Sequence, residues 1–232
     1  ASRSMEFARA AISVLLDLPY LSAKSREWLA SCYKNVPTTR FVARWVGVVP
    51  SDPVEVVFYG EAAYREAHRA RFSFDTAGFF DGRIHVKSSP QSGARLRSLL
   101  FHESMHAVFR EQAGGDQPYW LNEGMALRNA RQSEQLPTTT RSERAALHDR
   151  IASDRWIPLA DLANGFGGLT NAEAKTAYLE AAAAVDWIEA RTDRVQRARM
   201  LRQLRRGDST DEVLRQAVGL NTAGLESALR VE

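Results

Sequence analysis

The segment His102-Glu103-Ser104-Met105-His106 constrains this chain more than any other. Its two imidazoles are four residues apart, so on a helix they stand one turn apart on the same face. The flanks ask for that helix. Leu96, Leu99, Leu100, Met105, Val108 and Phe109 include apolar positions at helical spacing. No proline interrupts residues 94–113, and Gly114-Gly115 supplies a stop. Two neutral histidines held in this way can grip one zinc ion, and Glu103 can reach a water on that ion without binding it. Without an ion, the same residues read as ordinary helix side chains, one half-buried and one solvated, with Glu103 as their partner.

Zinc needs a third protein ligand, and Glu123 in Trp120-Leu121-Asn122-Glu123-Gly124-Met125-Ala126 is the candidate. Sixteen residues, 107–122, separate it from His106. They hold the end of the first helix, a Gly114-Gly115-Asp116 turn, and Pro118 near the start of a second helix. Asp116 or Gln117 is placed to cap that start, and Pro118 suits a first-turn position. The second helix is then expected to cross back and present Glu123 to the metal. Gly124 lets another backbone approach closely. A helix glutamate is otherwise usually solvated, so the argument for ligation is its place behind the histidine pair.

Around this pair the pattern is that of an α+β, mostly helical fold with a small N-terminal sheet and a helical C-terminal half. Residues 6–18 and 24–33 read as amphipathic helices parted by Pro19, and residues 41–49 as a strand rich in Val, Phe and Trp. Residues 50–53 read as a turn. Residues 54–59 read as a strand, 61–71 as a helix, and 79–86 as one strand or a hairpin turning at Asp81-Gly82. From residue 92 onward the pattern is helical: 92–113, 119–132, 141–153, 172–190, 194–205, 211–218 and 222–231. Thr140 with Glu143 and Thr170 with Glu173 read as capping boxes, and Asp193 as a cap. The division is an N-terminal helical extension, 1–50, packed on a core, followed by one domain, 51–232. The strand just before the histidine helix is expected to be a sheet edge beside a cleft, where an extended peptide can add through backbone bonds.

Composition narrows the class further. At 232 residues, 44% hydrophobic and 25% charged, the chain has the make-up of a soluble globular protein with one good core. No apolar run approaches bilayer length. No targeting signal is visible and the chain does not begin with methionine, which leaves an upstream segment and the compartment open. Cys32 is the single cysteine, which excludes an intramolecular disulfide and a cysteine-based zinc scheme. The net charge of +3 is mild. Arg191, Arg194, Arg197, Arg199, Arg202, Arg205 and Arg206 are expected to spread over a solvated helix while Val195, Ala198, Leu201 and Leu204 face inward. With no aromatic interleaving or glycine-rich phosphate loop, no nucleic-acid partner is expected.

The chain resembles the gluzincin metallopeptidases, the group called peptidase MA-like. The matching segments are residues 99–108, Leu-Leu-Phe-His-Glu-Ser-Met-His-Ala-Val, and residues 119–126, Tyr-Trp-Leu-Asn-Glu-Gly-Met-Ala. The second is similar to the ligand segment of zinc aminopeptidases almost residue for residue. Weaker similarity runs from about Val54 to Leu229. The resemblance implies a zincin-like fold, zinc held by His102, His106 and Glu123, Glu103 as general base, and a peptide or protein substrate. The metzincin scheme does not fit, since Phe109 and Gln112 stand where it needs glycine and histidine. Two departures stand out. The gap between His106 and Glu123 is slightly shorter than in the aminopeptidases. Their Gly-x-Met-Glu-Asn strand also has no counterpart, with Asp81-Gly82-Arg83-Ile84-His85 in that region, so the implied activity leans toward an endopeptidase.

Amide hydrolysis also needs a donor for the oxyanion. Tyr178 is the candidate. It shares a helix face with Ala181, Ala182, Val185 and Ile188, and these alanines are expected to pack closely on the histidine helix. A tyrosine on a comparable helix has this part in the family, whereas the residues alone fit a core aromatic with its hydroxyl at the surface equally well. His85 alternates with Ile84 and Val86, so it is expected to face away from them and to be exposed. His68 and His148 are expected at the surface. Two rival functions remain: a catalytically inactive zinc-binding relative that recognises a peptide or protein partner, and a helical nucleic-acid binder. The intact Glu103 argues against the first.

Overall fold

The computed structural model describes residue 46 and residues 54–68, 74–88 and 93–231. Val54, Val56 and Phe58 alternate and are buried, and β1 (Val56–Gly60) forms on them. Helix α1 (Glu61–His68) follows. The hairpin reading of residues 79–86 holds: β2 (Gly78–Phe80) and β3 (Ile84–Ser88) pair antiparallel, with Phe79 opposite His85. Gly82 between them has φ of 120°, a conformation glycine adopts without steric cost. β1 pairs parallel with β3, Val56 opposite Ile84, so the described strands run in the order β1-β3-β2. The strand just before the histidine helix is therefore central. Among the described strands β1 and β2 are the edges, because α1 carries the chain round to lay β1 along the side of β3 opposite β2.

Eight helices among the described residues make the fold α+β and mostly helical. After α1 come α2 (Gly93–Ala113), α3 (Tyr119–Ser133), α4 (Arg141–Ala152), α5 (Asn171–Arg191), α6 (Arg194–Arg205), α7 (Thr210–Val218) and α8 (Thr222–Leu229). Reciprocal capping boxes open α4 at Thr140 and Glu143, α5 at Thr170 and Glu173, α6 at Asp193 and Gln196, and α7 at Ser209 and Glu212. Each such cap is worth about 0.5–2 kcal/mol. α3 begins differently from expectation. Neither Asp116 nor Gln117 caps it; Pro118 is its N-cap and makes no side-chain cap bond. Asp116 is instead taken by Arg110, and the Tyr119 N–H donates to the Ala163 carbonyl at 2.7 Å.

α2 lies between two packed regions, and this sets the site. Leu96, Leu100 and Ala107 face Val54, Val56, Phe58, Ile84 and Val86 of the sheet. Met105, Val108 and Phe109 face the helical core with Trp120, Met125, Val185 and Leu201. α3 crosses α2 and packs against α5. A Cβ at Gly124 would clash with the Ala181 carbonyl and the Val185 side chain, so α3 and α5 meet backbone to backbone there. The small face of α5 thus packs on α3 rather than on the histidine helix.

Two further expectations fail. Val46, the one described residue of 41–49, is helical, 2% exposed, and buried in the helical core rather than in a sheet; β-propensity yields to what a segment packs against. On α6, Val195 is 72% exposed while Arg197 is buried. Arg197 tolerates this because its guanidinium donates to the Thr192 carbonyl at 2.5 Å. The helices expected at 6–18 and 24–33, the turn at 50–53, Cys32 and the proposed extension apart from Val46 lie outside the described residues. Among those described, no helix is long and apolar enough to cross a membrane.

Candidate metal centre

α2 projects His102 and His106 from one face, and α3 crosses it to bring Glu123 against them. The Glu123 Oε2 lies 3.2 Å from His102 Nε2 and 3.7 Å from His106 Nε2. One ligand atom from each of the three lies within 4.8 Å of the others, so the group can hold a metal ion. Glu123 is 2% exposed, and its Oε2 is buried without a hydrogen bond. A buried carboxylate oxygen with no partner costs about 1–3 kcal/mol or more, which a cation at that point would offset.

Asn122, 1% exposed, orients the second histidine. Its Oδ1 lies 2.8 Å from His106 Nδ1, and its Nδ2 donates to the Asp116 carbonyl at 3.3 Å. The amide orientation is thereby set, and the oxygen can only accept. His106 therefore carries its hydrogen on Nδ1 and keeps the Nε2 lone pair for the ion. Asp116 is gripped in turn by Arg110 through bonds of 2.8 and 2.6 Å, and that guanidinium lies over the Phe80 ring of β2 at 4.8 Å. Asn129 donates to the Phe101 carbonyl at 2.7 Å and ties the two helices about two turns further along α3. Asn122 stood in the motif, yet nothing local in the sequence marks it as a partner of His106.

The two site carboxylates are driven apart in acidity. Burial pushes Glu103 up to about 8, with His106 opposing and Glu123 adding to the rise. Burial also works against Glu123, but His106 and His102 outweigh it and hold its pKa below the ordinary value. Glu123 is thus ionised, as a metal ligand would need to be, and Glu103 is a group that can carry a proton. The Glu103 Oε2 is buried without a hydrogen bond and lies 3.9 Å from His106 Nε2.

The site opens into a cleft of about 900 Å³ between β2 and helices α2, α3 and α5. Phe79, Leu99, Leu127 and Tyr178 line it along with His102 and Glu103. Tyr178 stands 6.3 Å from His102, ring centroid to ring centroid. Burial, then Glu123 and Glu103, push its phenol well above the ordinary value, so it remains a donor. Tyr119, which the sequence reading did not single out, lines the same cleft.

The remaining histidines do not join this group. His85 does face away from Ile84 and Val86, but α1 covers that side of the sheet, so it is 9% exposed rather than open to solvent. It is held by the Tyr59 hydroxyl at 2.8 Å and Asp81 at 3.0 Å, and stacks on Phe79. His68 is half-buried in the same aromatic cluster, 4.7 Å from the Phe79 ring, not at the surface. His148 is exposed as expected. Comparison with known protein families, curated proteins and solved structures finds no match for this chain.

Proposed function

We propose that this protein is a zinc-dependent peptidase, and an endopeptidase rather than an aminopeptidase. The observation that carries the reading is the buried, unpartnered carboxylate of Glu103 beside a His102, His106 and Glu123 ligand set in the wall of an open cleft. The donors are nitrogen and oxygen, a set that suits zinc. Tetrahedral zinc with bonds of roughly 2.0–2.1 Å holds neighbouring donors roughly 3.3 Å apart. The separations of 3.2 and 3.7 Å fall about that value. Three protein ligands are also the number found in catalytic rather than structural zinc sites.

When bound, the ion supplies Lewis acidity, which lowers the pKa of water toward neutrality and polarises a carbonyl. Glu103 takes the proton of the attacking water and returns it to the leaving amine nitrogen. Tyr178 donates its phenolic hydrogen to the oxyanion. Asn122 keeps the His106 ring and tautomer fixed throughout. The substrate lies along β2, the edge strand whose Gly78, Phe79 and Phe80 line the cleft. Glu55, Asp75 and Asp81 near that sheet are engaged by Arg83, Lys87 and His85. None of these three is therefore placed as an anchor for a substrate amino terminus, in keeping with cleavage of internal bonds.

Metal analysis of the purified protein, followed by digestion of a peptide library with and without a chelator, tests the reading. One zinc per chain and chelator-sensitive internal cleavage are expected. Zinc without cleavage would turn the site over to peptide or partner recognition by an inactive relative, and a protein that takes up no metal would overturn the proposal.

A further inference from the structure

We infer that Arg110 is a positioning residue for His106, acting through Asp116 and Asn122, an inference that rests on the zinc site proposed above. Arg110 stands four residues after His106 on α2, so the two share a helix face one turn apart. Its Nε and Nη2 donate to the two carboxylate oxygens of Asp116 at 2.8 and 2.6 Å, a fork that fixes the carboxylate in direction as well as in distance. The Phe80 ring, 4.8 Å from the guanidinium, adds a second hold. Asp116 belongs to the turn between α2 and α3, and its carbonyl accepts from Asn122 Nδ2 at 3.3 Å. Asn122 Oδ1 lies 2.8 Å from His106 Nδ1.

The order of these contacts matters because an asparagine amide can present either its oxygen or its nitrogen. With the nitrogen on the Asp116 carbonyl, the oxygen faces His106 and the ring hydrogen sits on Nδ1. Nε2, which lies 3.7 Å from the Glu123 carboxylate, then keeps its lone pair. The bond to the Asp116 carbonyl is the longest of the four hydrogen bonds in this chain of contacts, so it is the one most sensitive to a shift of the turn. Once it is lost, the amide is free to turn its nitrogen to His106. That calls for a lone pair on Nδ1 and moves the ring hydrogen to Nε2, the nitrogen an ion needs. Arg110 prevents this by pinning the side chain of the residue whose carbonyl orients the amide. The Arg110 and Asp116 side chains are 36% and 40% exposed, and an ion pair so open to water lends little to stability. Its contribution is placement.

Arg110→Met removes the fork and keeps the aliphatic stem. Zinc affinity by competition with a chromophoric chelator, and the nitrogen NMR shifts of the His106 ring in the metal-free protein, read the ligand without any need for turnover. Charge alone predicts one sign: removing a cation from the cleft wall that it shares with His106 tightens the hold on a dication. Positioning predicts the other. The zinc Kd is expected to rise about 10-fold, the lower end of the range for a group that supports a metal ligand. The ring shifts are expected to show part of the population with its hydrogen on Nε2, while the melting temperature of the metal-free protein stays within about 2 °C. Arg110→Lys keeps the charge and loses the fork. It is expected to move affinity and ring shifts in the same direction by less, and it carries the test should the methionine variant not fold. Equal or tighter zinc binding with wild-type ring shifts would overturn the inference and leave the zinc site standing. A loss of affinity matched by a large fall in the metal-free melting temperature would overturn it as a folding defect. Wild-type protein that binds no zinc would remove the site, and the proposed function with it.

Discussion

The His106 Nδ1 and the Asn122 Oδ1 are 2.8 Å apart, and this bond couples the second histidine of α2 to the residue just before Glu123 on α3. The same backbone turn that brings Glu123 to the site therefore also sets the tautomer of His106. Asn122→Ala is expected to weaken zinc binding by about 10- to 100-fold, since the imidazole loses its orienting acceptor. A chelator competition assay measures this, and affinity equal to wild type would dissociate Asn122 from ligation.

Glu103→Gln keeps the size of the side chain and removes its capacity to accept a proton. Zinc content is expected to be unchanged, while hydrolysis falls by about 10²- to 10⁴-fold, the usual weight of general acid–base catalysis. Elemental analysis and turnover of the best library peptide are the two measurements. Wild-type turnover in this variant would discard the assigned base.

Gly124→Ala tests how closely α3 approaches α5. The added methyl meets the Ala181 carbonyl, which is backbone and gives little, as well as the Val185 side chain. Overpacking of this kind costs about 1–3 kcal/mol, and thermal melting of the metal-free protein is expected to show a loss of several degrees. Because α3 also carries Glu123, zinc affinity is expected to fall in the same variant.

Glu180 offers a pH test remote from the ligands. It is fully buried on α5, accepts from the Ile157 N–H at 3.2 Å, and is pushed up to about 8 chiefly by burial. The folded state thus holds a proton that the unfolded chain releases near its ordinary value of 4.5. The stability this proton lends is fully present below about pH 4.5 and drains away as pH rises toward 8. Glu180→Gln keeps an acceptor for Ile157 and has no charge to bury. Denaturant titrations at pH 5 and pH 9 are expected to show a smaller loss of stability at high pH in the variant than in wild type. Parallel pH profiles would contradict it.

Much of this molecule is written in contiguous residues. The histidine pair, the Thr140 and Thr170 capping boxes, the Asp193 cap and the hairpin turn at Asp81-Gly82 are all local: each depends on residues within a turn or two of one another, so their spacing in the chain is their spacing in space. The convergence of Glu123 on His102 and His106 was legible for a related reason, since a single short turn joins the two helices. What failed was decided by partners distant in sequence. His85 points to the side its alternation demands, but α1 covers that side. Val195 and Arg197 exchange roles because α6 is docked by its neighbours and not by its own hydrophobic pattern. Asn122 looks like an ordinary helix residue until α2 supplies it with a histidine. Local sequence determined the helices and the candidate metal ligands of this protein; the tertiary structure alone decided which side chains hold those candidates in place, because a supporting contact comes from whichever segment packing brings there.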